Sequence, residues 1–408
     1  MLGAGCGAPA QEAPSARWWK GNLHTHSLWS DGDDYPEMIM DWYKTQGYHF
    51  TALSDHNVLA EGERWVNPAE RRHGRTALEK YQARFGADWV TVQVEDEDTL
   101  VLLQTFDAYR PLFEEPGRFL VIRSEEITDR FEEKPIHLNA TNVQELIPPQ
   151  GGNSVREVLQ NNIDAVLDQR ARTGRPMFPH INHPNFGWAL VVEDIMFLQG
   201  EQFFEVYNGH PAVHNEGDSL RPGTERMWDI ILAERLTRGE PVLYGMAVDD
   251  AHAYHERSTS VPNTGRGWVM VRADTLSPEA LIDAMETGDF YGSSGVTLAD
   301  VRYDGSTLHL EIEPEEGLTY VTQFIGTRRG YEAAGEPLAL SEAGAATVTR
   351  RYSDDIGVVL AEVAGPSPSY RLSGDEIYVR ARVVSSRLKE NPYREGEYEM
   401  AWTQPVVP

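Results

Sequence analysis

Two histidines one residue apart, His24 and His26, follow a strand-like stretch near the start of the chain, and Asp250 and His252 stand in the same relation far downstream. Residues at i and i+2 of an extended segment point the same way, so each pair can offer two donor atoms to one place. Between the pairs lie Asp31, His56, Glu126, His137 and His183, each associated with a strand-like segment. Neutral imidazole and carboxylate are ligands of Zn, Mn and Fe. A lone histidine at a strand end is ordinarily a hydrogen-bonded structural residue. The joint pattern is what points to a metal cluster and to metal-assisted hydrolysis. No G-x-S-x-G occurs and the only cysteine is Cys6, so neither a serine nor a cysteine nucleophile is indicated.

The elements that must position these residues alternate between strand and helix. Residues 18–23 read as a strand ending in His24-Thr25-His26, and Asp34-Tyr35-Pro36 opens a helix that Gly47 closes. Further strands are expected at 48–53, ending in Ser54-Asp55-His56-Asn57, and at 119–122, running into Ser124-Glu125-Glu126. Residues 58–117 form a long polar insertion between them, of the kind that makes a lid or substrate wall. Strands at 136–141, 176–181, 202–206, 241–248 and 268–272 follow, with helices at 154–171 and 224–238 and one capped by Ser277. Repeated strand-then-helix units predict an α/β fold with a parallel sheet, closed or nearly so, whose strand ends converge on one face. Beyond Gly295 short alternating segments at 308–312, 319–325, 346–352, 358–363 and 377–383 read as an antiparallel β-sandwich. The expected organisation is a tether over 1–16, a barrel over 17–297 and a sandwich over 298–408.

The 408 residues carry a net charge of −28, from 36 basic and 64 acidic side chains. That field repels polyanions and argues against a nucleic-acid partner. No apolar run is long enough to span a membrane. Met1-Leu2-Gly3-Ala4-Gly5-Cys6, followed by a Gly/Ala/Pro/Gln stretch, is similar to the tail end of a bacterial lipoprotein signal without its basic and apolar parts. On that reading Cys6 carries a lipid anchor and the protein is periplasmic or at the cell surface; on the other the terminus is simply loose and the protein is cytoplasmic.

The ordered set His24-Thr25-His26, Ser30-Asp31-Gly32, Ser54-Asp55-His56-Asn57, Glu126, His137, His183-Pro184 and Asp250-Ala251-His252 resembles the polymerase and histidinol phosphatase (PHP) family of metallohydrolases. The resemblance runs from about Trp18 to Gly295. Glu126-Ile127-Thr128, His137-Leu138-Asn139-Ala140, Ile181-Asn182-His183-Pro184 and Glu205-Val206-Tyr207-Asn208-Gly209 look like the branch that includes the carbaryl-hydrolysing esterase. Tyr378-Val379-Arg380-Ala381-Arg382 and Ala401-Trp402-Thr403-Gln404-Pro405 are similar to the ends of such chains.

This resemblance implies a distorted (β/α)7-type barrel and two or three divalent ions, Zn, Mn or Fe. His24, His26, Glu126 and Asp250 would hold the first, with Glu126 bridging to a second held by His137 and His183. Asp31, His56 and His252 would hold the third, where some relatives carry a histidine in place of Asp31. Glu126, Asp250 and His252 are the residues expected to serve catalysis itself. His180 is a rival to His183. Asp55 and Asn57 are expected to orient His56, and Asp249 is either a cap or catalytic. A water between two cations becomes the nucleophile near neutral pH.

The expected activity is therefore phosphoester hydrolysis of a small phosphorylated molecule. A carboxyl-ester or carbamate hydrolase on the same metals is the first alternative, and a surface-tethered binding protein with a relic barrel the second. Arg123 is the clearest cation near the strand ends, with an ordinary salt bridge as its rival role. His210 and His214 follow Asn208 on one loop and could contact substrate, with solvent-facing loop positions the favoured account; His255 calls for the same caution, and His49, His73 and His309 fall outside the pattern.

Overall fold

The computed structural model describes residues 16–95, 98–333, 335–337 and 350–408. Cys6 and most of the expected strand at 346–352 lie outside them.

The chain opens with β1 (Arg17–Asn22), α1 (Pro36–Thr45) and β2 (Phe50–Leu53). The insertion contributes β3 (Trp65–Val66), α2 (Gly74–Phe85), β4 (Val92–Glu95), β5 (Asp98–Leu102) and α3 (Phe106–Phe113), with its strands paired as a small separate sheet. Val66, Tyr81, Val101 and Leu103 of this region share a core with Leu28, Trp29 and Tyr35 of the loop after β1. The insertion is thus a packed wall beside that loop.

The main chain of elements resumes with β6 (Leu120–Phe131), β7 (Lys134–Thr141), α4 (Val155–Thr173), β8 (Phe178–Ile181), α5 (Val192–Ile195), β9 (Phe203–Asn208), α6 (Thr224–Thr237) and β10 (Tyr244–Val248). Next come β11 (Trp268–Ala273), α7 (Pro278–Glu286) and β12 (Phe290–Ser293). Local chemistry explains the helix ends. The Ser154 and Ser277 hydroxyls accept the backbone N–H of Glu157 and Ala280, and Gly174 takes the left-handed conformation that stops α4. Val158, Leu159, Ile163 and Val166 of α4 are fully buried and join Ile127, Leu138 and Ile181 of the strands in one core.

One 13-stranded sheet runs β10-β9-β8-β7-β6-β2-β1-β11-β12 and then into the C-terminal strands. The pairs β10–β9, β9–β8, β6–β2 and β2–β1 are parallel. The pairs β8–β7, β7–β6, β1–β11 and β11–β12 are antiparallel. Only Glu132 and Glu133 separate β6 from β7, too few residues for the crossover that parallel pairing needs, so the two form a hairpin. Glu126, expected just past the end of a strand, therefore lies inside one. Trp19, Phe50, Ile122, Phe178, Phe203, Met246, Val269 and Phe290 from eight strands meet in one apolar cluster, so the sheet curls around a shared core.

Among the described residues no ladder closes the curl between β10 and β12. Gln404 covers that edge instead: its Oε1 accepts the Gly245 N–H at 3.0 Å and its Nε2 donates to the Gly245 carbonyl at 2.8 Å. The closed barrel left open by the sequence is therefore not formed by strand pairing.

The last elements are β13 (Leu298–Tyr303), β14 (Thr307–Ile312), β15 (Tyr320–Arg328), β16 (Glu336–Pro337), β17 (Arg350–Arg351), β18 (Val358–Ala364), β19 (Ser369–Arg371), β20 (Glu376–Leu388) and β21 (Tyr398–Thr403). They are not independent of the preceding sheet. β21 pairs with β12 through Tyr291↔Thr403 and its neighbours, and β20, β15 and β18 continue outward from it. A three-stranded sheet, β13-β14-β19, packs Leu298, Leu308 and Leu310 against Phe324, Val379 and Ala381 of that extension. No helix of the described residues is long and apolar enough to cross a membrane.

Candidate metal centre

The polar cluster begins where the parallel strands end. Two backbone bonds tie the segment after β1 to the segment after β10: His26 N–H to the Ala251 carbonyl at 2.9 Å, and Asp250 N–H to the His24 carbonyl at 3.0 Å. His24 and His26 are both fully buried. Gly32 is required beside them, because a Cβ there would sit 2.5 Å from the His26 carbonyl oxygen. Asp250 itself has φ of 51°, a left-handed backbone that Asp adopts more readily than most residues. His56 lies just past β2 and pairs with Glu126 of β6 as an isolated parallel bridge. β7 runs in the opposite sense, so His137, near its start, reaches the same edge.

Glu126 sits at the middle with its two oxygens facing different histidines. Oε2 is 3.0 Å from His56 Nδ1, 3.2 Å from His26 Nε2 and 3.4 Å from His24 Nε2. Oε1 is 2.9 Å from His137 Nδ1 and 3.4 Å from His183 Nε2. Asp250 Oδ1 lies 3.3 Å from His24 Nε2, 3.4 Å from His26 Nε2 and 3.6 Å from His252 Nδ1, and its Oδ2 is 3.9 Å from His183 Nε2. Asp31 stands between His252 Nε2, at 3.4 Å, and His56 Nε2, at 3.5 Å, with His26 Nδ1 at 3.7 Å. All nine residues singled out from the sequence are thus brought together.

These atoms crowd, with His24 Nε2 and His26 Nε2 only 3.2 Å apart, and not all of them find partners. Glu126 Oε2 and His137 Nδ1 are buried and have no hydrogen-bond partner among the described residues. A buried polar atom left bare costs free energy unless something else meets it. The protonation of the cluster shows the same frustration. Burial opposes charge on Glu126, but His56, His137 and His24 outweigh it and hold the carboxyl well below its usual range. Asp250 is held down in the same way, against burial, by His24, His26 and His252. Burial, together with the neighbouring His26, pushes His252 down to about 3. His56 rises to about 11, because Glu126 and Asp31 outweigh its burial. Adjacent imidazoles are thus driven in opposite directions, as expected of a donor set better satisfied by metal than by protons. Four sets drawn from the nine residues have donor atoms within 4.8 Å of one another: His26-Asp31-His56-His252, His24-His26-Glu126, His24-His183-Asp250 and His56-Glu126-His137. The donors fit divalent ions.

No protein-family model and no curated protein matches the chain. Among solved structures it is similar to a two-domain protein from Bacteroides vulgatus containing a predicted PHP-like metal-dependent phosphoesterase. That match has 11% identity, 98% of this chain, 99% of the other and a TM-score of 0.40. A candidate metal-dependent phosphoesterase from Bifidobacterium adolescentis is similar at 13% identity, over 60% of this chain and 89% of the other, with a TM-score of 0.27. An amidohydrolase from Chromobacterium violaceum is similar at 15% identity, over 60% and 90%, with a TM-score of 0.30. Likeness at these scores decides nothing about chemistry.

Behind the cluster stands a set of buried polar residues to which the sequence reading gave no role. Glu205, in the middle of β9, takes His24 Nδ1 at 2.6 Å, His180 Nε2 at 3.2 Å, the His183 N–H at 2.7 Å and the Asn208 amide at 2.8 Å. The charge of His24 outweighs burial and holds the Glu205 carboxyl down at about 2. Asn182 donates to Glu126 Oε1 at 2.8 Å, and Asn208 donates to Asp250 Oδ2 at 3.1 Å. The signal was present in the sequence: a glutamate inside the apolar run Phe203-Phe204-Glu205-Val206 has no surface to face. His180 also forms a possible donor set with His24 and Glu205, but its ring lies on the Glu205 side, whereas His183 faces Glu126.

Other expectations shift. Asp55 does not reach the His56 ring; it accepts Ser27 N–H, Ser27 Oγ and Ser30 Oγ at 2.8, 2.7 and 2.6 Å and so shapes the loop carrying Asp31. Asn57 pairs with the Thr128 backbone, and the Thr128 hydroxyl is 2.5 Å from His56 Nδ1. Asp249 accepts the N–H groups of Gly265, Arg266 and Gly267 and the Tyr43 hydroxyl, which is a capping role. Arg123 is bound to Glu61 and Asp107. His214 is exposed and stacks on Trp188, His255 contacts Asp34, and His309 contacts Asp304. His49 accepts the Lys20 N–H and His73 approaches Glu256. His210, for which the sequence favours a solvent-facing account over substrate contact, lines a cleft of about 270 Å³ over the cluster, with Phe186 and Pro262.

Proposed function

We propose that this protein is a metal-dependent hydrolase of the PHP type, acting on a phosphoester of a small molecule. On this reading His24, His26, Glu126 and Asp250 would hold one divalent ion, and Glu126, His137 and His183 a second. Asp31, His56 and His252 would hold a third. The observation that carries it is the division of Glu126, with Oε2 toward His24 and His26 and Oε1 toward His137 and His183. Bound ions would supply Lewis acidity and a water acidic enough to attack at neutral pH. The chain's own part is to aim the His24 imidazole through Glu205 and the Glu126 carboxylate through Asn182. Hydrolysis of p-nitrophenyl phosphate with added Mn or Zn, abolished by chelation, is the expected result. Failure to hydrolyse any ester in the metal-loaded state would sink the proposal.

A second reading, carboxyl-ester or carbamate hydrolysis at the same ions, gains support from the cleft wall. Among the described residues no Lys or Arg lines it, and Phe186 and Pro262 add apolar surface suited to an uncharged ester. A higher kcat/KM for p-nitrophenyl acetate than for the phosphate would favour this reading. A lipid anchor at Cys6 remains part of the proposal and is tested by membrane partition of the expressed full-length protein.

A further inference from the structure

We infer that His210 is a dedicated hydrogen-bond donor to the substrate, a neutral imidazole whose tautomer the loop dictates. This rests on the metallohydrolase reading above and assigns a role that no metal ligand can fill.

The loop after β9 is tied down at every step. The His210 N–H donates to Asn208 Oδ1 at 2.8 Å, and Arg266 Nη1 donates to the Gly209 carbonyl at 2.9 Å. Asn215 Nδ2 donates to the Asn208 carbonyl at 2.8 Å, while the Asn208 amide reaches Glu205 and Asp250. The backbone of His210 is therefore held by the same buried network that aims the cluster. Its ring stands edge-on to His252, with centroids 5.7 Å apart, and to Phe186 at 6.2 Å.

The decisive contact is on the far side of the ring. Ala212 donates its backbone N–H to His210 Nδ1 at 3.1 Å. A nitrogen that accepts a hydrogen bond carries no proton, so the neutral ring has its proton on Nε2. Among the described residues Nε2 has no hydrogen-bond partner. The charged or titratable residues that share the cleft with His210 are Asp31, His56, Glu126, His137, His183, Asp250 and His252. Each is a proposed ligand, and a ligand nitrogen or carboxylate facing a cation has no proton to offer there. Phe186 and Pro262 have none either. Among the described residues that line the cleft, His210 Nε2–H is therefore the side-chain donor left to the substrate, aimed at an oxygen that the ions leave uncovered. No proton is transferred; the bond strengthens as negative charge grows on that oxygen.

The test compares His210→Phe, which keeps a ring and removes the donor, with His210→Gln, which restores an N–H. Both are assayed with Mn on p-nitrophenyl phosphate and p-nitrophenyl acetate, alongside bound metal per chain. His210→Phe is expected to lose about 10²–10³-fold in kcat, the usual cost of one donor to a developing oxyanion. KM and metal content should be unchanged, and His210→Gln should recover at least ten-fold. Wild-type kcat in His210→Phe overturns the inference alone. Equal losses in both variants, or loss of metal, overturn it in favour of a purely structural role. A wild type that binds no metal overturns the metallohydrolase reading and this inference with it.

Discussion

Glu205 Oε1 lies 2.6 Å from His24 Nδ1, and both side chains are wholly buried. The contact fixes which nitrogen of His24 faces Glu126 and Asp250, since the other is taken. Loss of such a support commonly costs 10–100-fold in metal affinity or activity. Glu205→Gln is therefore expected to bind Zn about 10–100-fold more weakly, with unchanged far-UV circular dichroism. Competition against a chromophoric chelator measures it. Wild-type affinity in the variant would show that Glu205 only packs.

Gln404 predicts a stability effect outside the site. Replacing it with Leu leaves the Gly245 N–H and carbonyl bare on a buried strand edge. At roughly 1–3 kcal/mol per unsatisfied group, the urea-unfolding free energy should fall by about 3 kcal/mol. A fall below about 0.5 kcal/mol would mean that water or another strand takes over the edge.

Asp229 accepts Arg380 through both guanidinium edges, Nε and Nη2 each at 2.8 Å, and also the Tyr378 hydroxyl at 2.8 Å. This buried pair joins α6 to β20. Breaking one side leaves a buried charge, so Arg380→Met should cost about 3–5 kcal/mol. The double variant Arg380→Met/Asp229→Leu should recover part of that loss. Additive losses in a double-mutant cycle would contradict the coupling.

Glu201 sets a pH dependence. It is wholly buried, accepts one N–H, from Phe203 at 2.6 Å, and its Oε2 is unpaired; burial pushes its carboxyl up to about 8. Between its ordinary value of 4.5 and about 8 the folded chain keeps a proton that the unfolded chain has released. Stability contributed by this group therefore falls as pH rises through that window and levels off above it. Glu201→Gln should show a shallower decline than wild type between those limits when both are unfolded in urea at fixed metal concentration. Parallel pH profiles would show that Glu201 is ionised in the fold.

The site was more legible than the fold. His24, His56, His183 and Asp250 stand at the trailing ends of strand-like segments, where a cluster of polar residues after a buried strand breaks the pattern. Glu205 was passed over because it lies within an apolar run rather than after it, where only its lack of a surface to face marks it. The strand directions were less legible: periodicity marks β6, β7 and β11 as extended but carries no sign of orientation. The pairing of β12 with β21 joins residues more than a hundred positions apart, Tyr291 and Thr403, and nothing local announces it. For the same reason the C-terminal strands read as a separate sandwich although four of them extend the main sheet. For His210 the sequence favours a solvent-facing account over substrate contact, because its place in the cleft depends on the Asn208 and Arg266 contacts, which arise only once the loop folds back.

The central claim is that Glu126 and its ring of imidazoles cage divalent ions. Elemental analysis of protein purified without chelator, beside a His24→Ala/His26→Ala variant shown to be folded, tests it most directly. Two or three divalent ions per wild-type chain are expected, with at least one lost in the variant and ester hydrolysis lost with it. A wild-type chain that takes up no divalent metal, even after incubation with Mn or Zn, would contradict it.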